Sequence, residues 1–199
     1  MSNNESAYAT MNGAPTATEQ NGSRPITGDE LARMGDLGSC ELVAGRIALM
    51  SPTNWRHGDY VGEITETLRS FVKKHKLGKV LAGEVGIYTR RDPDTVRGAD
   101  VAFISAERLA KVASDSFLDV APELVVEVIS PGNTWQEMRE KIDEYFAIGV
   151  ERVWIVEPAR CQVLVYRAPT DLVALDEAGC LQGEGILRGF SLSVRELFA

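Results

Sequence analysis

Pro122-Glu123-Leu124-Val125-Val126-Glu127-Val128-Ile129, the segment from Thr134 to Ile148 and the run Arg152-Val153-Trp154-Ile155-Val156-Glu157 decide the fold. The first is an almost continuous apolar run closed by Ser130-Pro131-Gly132, the pattern of a strand buried on both faces. In the second, Thr134 with Glu137 three residues on forms a capping box. Trp135, Met138, Ile142, Tyr145 and Phe146 then recur at helical spacing until Gly149. Strand, helix and strand within about 35 residues suit a right-handed βαβ crossover.

Working outward, Gln162 to Arg167 reads as a further strand, and Leu187 to Phe198 sets Leu192, Val194 and Leu197 against the body in a pattern too short to type. Upstream, a short capped helix is expected at Thr27–Met34 and a hairpin at Glu41–Met50 around Ala44-Gly45. A long helix runs from about His57 to Lys76, with Val61, Ile64, Leu68, Phe71 and Val72 on one face. Lys79–Thr89 and Ala99–Ile104 are strands, and Ser105–Leu109 starts a turn or two of helix. No internal repeat is present. The order predicts an α/β (α+β) fold, a central mixed sheet flanked by helices.

The chain has 199 residues, 44% of them apolar, which suits one domain, expected over 28–199. Residues 1–27, rich in Asn, Ser, Ala, Thr and Gly, read as a disordered tail without the apolar region of a secretory signal. No stretch approaches the ~18 apolar residues of a membrane span. Cys40, Cys161 and Cys180 are odd in number and widely spaced, as in a cytoplasmic protein with reduced thiols.

The formal charge of −8 argues against a protein that coats nucleic acid. Thr67 to Arg97 nevertheless holds eight cations (Arg69, Lys73, Lys74, Lys76, Lys79, Arg90, Arg91, Arg97) against three acids. Such a band is compatible with transient contact to a phosphate backbone, and equally with a solvated helix end and a charged loop.

Asp100 opens the apolar run Val101-Ala102-Phe103-Ile104, and Glu127 sits inside its own. An ionised Glu in a buried strand is costly without a partner; the competing reading is an outward-facing residue on a half-exposed strand. Adjacent strands lie ~4.8 Å apart, so if these two pair, one hard cation can reach both acids, with the Val128 carbonyl as a further ligand. Lys141 falls at the border of the apolar arc of its helix. From there its ammonium can reach the end of the sheet, or snorkel to solvent. Glu84 and His57 are secondary candidates, His57 for phosphate contact, base or helix cap; His75, among lysines, reads as surface. No Gly-x-Ser-x-Gly elbow is present, which leaves a serine or cysteine hydrolase little support.

Arg97-Gly98-Ala99-Asp100-Val101-Ala102-Phe103, Pro122 to Pro131, Lys141-Ile142-Asp143-Glu144-Tyr145 and Gly149 to Pro158 resemble the putative restriction endonuclease domain family, a branch of the PD-(D/E)XK nucleases found in cyanobacteria and actinobacteria. Glu41-Leu42-Val43-Ala44-Gly45 and Met50-Ser51-Pro52-Thr53 extend the likeness over about Glu30–Tyr166. The resemblance implies a restriction-endonuclease-like core, a cofactor of Mg²⁺ (or Mn²⁺) on Asp100, Glu127 and Val128, and Lys141 as catalytic lysine. Glu41 would be an auxiliary ligand or base, and nucleic acid, DNA first, the partner. Pairing into a homodimer is a further expectation, with no interface legible in the chain. Ala99 stands in place of the usual proline and Ile129 in place of the usual lysine, consistent with a lysine moved to the next helix. Arg46 replaces an acid often seen after the hairpin glycine. The alternative is a nuclease fold kept as a catalytically inactive binding or regulatory module.

Overall fold

The computed structural model describes residues 24–130 and 132–199. The tail expected over 1–27 therefore falls, up to residue 23, outside the described residues. In chain order the elements are α1 (Gly28–Arg33), β1 (Cys40–Val43), β2 (Arg46–Leu49), α2 (Trp55–His75), β3 (Gly78–Arg90), β4 (Thr95–Ser105) and α3 (Ala106–Leu109). There follow β5 (Leu124–Val128), α4 (Trp135–Ala147), β6 (Arg152–Glu157), β7 (Gln162–Ala168), β8 (Asp171–Leu175), β9 (Cys180–Gln182), β10 (Ser191–Ser193) and α5 (Val194–Leu197).

Eight strands form one mixed sheet in the order β2-β1-β4-β5-β6-β7-β8, with β3 also paired to β4. Strands β5 and β6 run parallel, Val126 against Trp154, joined through α4 as the crossover pattern requires. Helix α2 packs on one face, where Ile64, Leu68 and Val72 meet Val101, Phe103, Leu124, Val126 and Trp154. Helix α4 covers the other, with Met138, Ile142 and Tyr145 against Ala102, Val125, Val153 and Ile155. Alternate residues of the central strands supply these two cores, so both faces are buried. Leu192, Val194 and Leu197 join the α2 side, the contact the sequence left untyped.

The expected capping box at Thr134/Glu137 forms, and Thr27 with Glu30 makes a second one that caps α1. Helix α2 begins at Trp55, two residues before the expected start, because Asn54 supplies the N-cap. Strand β4 is longer than the expected Ala99–Ile104 run, since Thr95 to Gly98 continue the β3 ladder. Strands β8, β9 and β10 went unforeseen. They are short, and β8 is exposed almost throughout, so no apolar alternation marks it.

Strand β4 positions everything functional. One edge pairs with β3 along nearly its whole length. The other edge is shared: β1 takes Val96, and β5 takes Val101 to Phe103. Between these contacts the neighbouring strands diverge and leave a fork at residues 97–100. Opposite it, the β3 ladder breaks between Ala82 and Val85, so Gly83 and Glu84 face Asp100 as a bulge.

Candidate active site

Backbone groups at the fork lack a strand partner on that side, and a buried N–H or C=O needs one. Side chains supply them. Glu41 Oε1 on β1 accepts the Gly98 N–H at 3.0 Å, and Lys141 Nζ on α4 donates to the Gly98 carbonyl at 3.3 Å. The Val128 N–H donates to Asp100 Oδ2 at 2.7 Å, just past the last β4–β5 pair. Continuing that register by one step sets Asp100 opposite Glu127, and directly opposed residues project to the same side of a sheet.

Glu127 is 4% exposed, like the rest of a strand buried at all five positions. The outward-facing reading is thereby excluded. Its Oε1 accepts the Tyr145 hydroxyl at 2.6 Å and lies 3.4 Å from Lys141 Nζ. Burial pushes its carboxyl up to about 7, against the pull of the Lys141 charge and with help from Asp100. Lys141 does not snorkel to solvent. Burial would lower its pKa, but Glu127 and Glu41 outweigh that and hold the ammonium charged. Its nearest partner is Glu41 Oε1 at 2.7 Å.

Glu41 is buried by the same packing and is also gripped by Arg97 at 3.0 Å. Burial raises its pKa, yet Lys141 and Arg97 together bring it below the ordinary range. Arg97 turns its other edge on Glu144 at 2.7 and 2.9 Å, and Thr89 adds a hydroxyl to the same carboxylate at 2.8 Å. A planar guanidinium suits this forked contact as a lysine would not.

His57, in the first turn of α2, puts Nε2 3.2 Å from Asp100 Oδ2. The hydrogen bond to Asp100 raises its pKa against burial, and a backbone hydrogen bond to Val128 favours the charged ring as well. The structure thus brings Asp100, Glu127, Lys141, Glu41 and Val128 to one place, with His57 beside them. Glu84 stands in the bulge at φ 55°, a left-handed conformation uncommon for a residue with a side chain. Its carboxylate is engaged by the Ser39 hydroxyl.

Sequence reasoning missed Tyr145, Arg97 and Glu144. A signal existed for Tyr145, which follows Lys141 by four residues and so shares its helix face. The expected basic band is not one surface. Arg97 is buried in the site, Arg90 bonds Thr95, Arg91 lies over the Tyr88 ring, and Lys73 to Lys76 sit at the far end of α2.

Glu41, Asp100, Glu127 and Glu144 outnumber the permanent cations Lys141 and Arg97. This all-oxygen, carboxylate-rich donor set suits a hard divalent cation, which commonly takes one or two carboxylates and leaves other positions to water and substrate. Among the described residues no three His, Cys, Asp or Glu side chains form a ready-made metal cage. The fit therefore rests on two acids and a backbone carbonyl.

The chain is thus an α+β protein whose mixed sheet forks beside two acids and a buried lysine. The family described as putative restriction endonuclease matches residues 29–195, and the chain belongs to that family. A crystal structure of a putative nuclease from Anabaena variabilis is similar at a TM-score of 0.74 and 19% identity, covering 87% of this chain and 98% of that one. That likeness shows a shared fold. No curated protein matches the chain. No helix among the described residues is long and apolar enough to cross a membrane.

Proposed function

We propose that the chain is an endonuclease that hydrolyses phosphodiester bonds, in DNA, with Mg²⁺ or Mn²⁺ as cofactor. The observation that carries this is the meeting of Asp100 and the β5 end, where the Val128 N–H donates to Asp100 Oδ2 at 2.7 Å, with the Lys141 ammonium 3.4 Å from the adjacent Glu127. Asp100, Glu127 and the Val128 carbonyl would hold the cation. Once bound, a divalent ion there supplies activation of water and offsets charge on the phosphate.

The chain's own groups do the rest. Lys141 presents a fixed positive charge to the attacking water and to the charge that builds on phosphorus substituents, an electrostatic role requiring no reorganisation. Glu41 and the Gly98 carbonyl fix the position of that ammonium. Arg97 fixes Glu41 in turn. Tyr145 orients the Glu127 carboxylate from behind. DNA is the substrate class to which the family description points.

The experiment is plasmid nicking with added Mg²⁺ or Mn²⁺ by the wild-type chain, Asp100→Ala and Glu127→Ala. Wild type should nick and lose activity on chelation. Both variants should melt cooperatively yet fail to nick. Unchanged cleavage by either variant overturns the assignment. A binding module without catalysis has one observation in its favour: Asp100, Glu127 and Glu41 each have an ion-pair partner within the protein. Absence of nicking by wild type, with DNA binding intact, would establish that reading instead.

A further inference from the structure

Trp55 opens α2 with 74% of its surface exposed, although tryptophan is on average a well-buried residue. One bare apolar side chain is ordinary on a protein surface; its place is what singles it out. Two residues on, the buried His57 stands 3.2 Å from Asp100 and meets the backbone of Val128, so the turn that carries the indole is seated at the fork. Asn54 caps the same turn through the His57 N–H at 3.0 Å, and residues 51–53 leading into it are exposed. The first turn of α2 is thus held from two sides while its tryptophan stays in water. Arg56 lies over one face of that ring at 5.2 Å and has no carboxylate partner among the described residues.

We propose that Trp55 stacks on an unpaired base of the substrate, and that the site therefore takes nucleic acid whose bases are unpaired beside the scissile phosphate. The inference rests on the nuclease reading above and names the form of its substrate. Every base has a π-face, so an exposed aromatic ring binds unpaired strands with little regard to sequence. In a duplex those faces are covered by neighbouring base pairs, and the indole would meet only sugar and phosphate. Such bases occur in single strands and in the opened tracts of a duplex. Arg56, held against the ring, places a positive charge for an adjoining phosphate next to the stacking face. The charge of the chain agrees with this reading. At −8 overall, with its basic band dispersed, it has no continuous cationic surface for the two backbones of a duplex. Stacking supplies affinity that does not depend on one.

The full chain is titrated, in chelator so that nothing is cut, into a labelled oligothymidylate strand and into the same strand paired with oligodeoxyadenylate, with fluorescence anisotropy as the readout. Wild type should bind the unpaired strand more tightly than the duplex. Trp55→Ala should lose at least about fivefold on the unpaired strand, the lower end of what one stacked base contributes, and change little on the duplex. Trp55→Phe should recover part of the loss and Trp55→Leu little, because stacking needs a ring where mere apolar contact does not. A duplex bound as tightly as the strand, an unpaired strand bound equally by Trp55→Ala, or no binding of either by wild type overturns the proposal. The second measurement reads the indole itself. Trp154 is 2% exposed, so in Trp135→Phe the tryptophan emission that a ligand can reach is that of Trp55. The unpaired strand should quench it and the duplex should not; no quenching overturns the proposal. Failure of the nuclease reading shows separately, as absent nicking once metal is added, and leaves these affinities as they are.

Discussion

The Tyr145 hydroxyl and the Glu127 carboxylate meet at 2.6 Å inside a part of the protein that water does not reach. Tyr145 is completely buried, and burial first, then the Glu127 charge, pushes its own pKa well up, so it stays a donor. That hydrogen bond favours the ionised form of an acid that burial would otherwise keep neutral.

Tyr145→Phe deletes this bond while keeping the ring. A hydrogen bond to a charged group contributes about 1.5–3 kcal/mol, so the melting temperature should fall measurably. Glu127 should also hold its proton to higher pH. Nicking at neutral pH should therefore drop and recover as the pH is raised. A loss independent of pH would show that the hydroxyl acts through packing alone.

Lys141→Met keeps much of the aliphatic stem and removes the charge. Breaking a buried ion pair costs about 3–5 kcal/mol when the partner stays charged. Here Glu127 can take up a proton and Glu41 keeps Arg97 at 3.0 Å. The expected loss lies at the lower end, measured by denaturant unfolding, with nicking abolished. A variant as stable as wild type would show that the ammonium is not needed to offset these acids.

The pH dependence of stability in the metal-free protein has a definite sign at Glu127. Its carboxyl is raised from 4.5 to about 7 in the folded state, so between those values the folded chain binds more protons than the unfolded one. The contribution is complete below 4.5 and disappears as pH rises through about 7. A shift of that size corresponds to about 3 kcal/mol as an upper figure. Thermal melts of wild type and Glu127→Gln at about pH 5 and about pH 8 test this, since wild type should lose ground to the variant at the higher pH. A pH-independent difference contradicts the assignment.

Arg97 joins Glu41 to Glu144 across the floor of the site. A double-mutant cycle with Arg97→Gln and Glu144→Gln should return a coupling above about 1 kcal/mol, because the guanidinium is buried and contacts Glu144 through two nitrogens. The exposed pair Lys111–Glu107 should give a clearly smaller value. Arg97→Lys should recover little, as an ammonium cannot span both carboxylates.

Much of this site was legible in the residues themselves. A glutamate inside the apolar Leu124–Ile129 run stands out locally through its burial cost, whereas Asp100 and Lys141 were singled out by the family resemblance, since helical spacing left Lys141 free to snorkel to solvent. The same local rules placed the βαβ unit and the Thr134/Glu137 capping box, which depend only on near neighbours. What they could not reach is how distant segments pair. Whether Lys141 answers to Glu41 or to Glu127 depends on where β1 leaves β4. That Arg97 turns inward, and His57 onto Asp100, follows from a fork between strands more than 80 residues apart in sequence. Composition and periodicity therefore determined the elements and the chemistry available. The tertiary structure alone decided which groups share one buried space, because ladder registers and unpaired backbone groups arise only once strands meet.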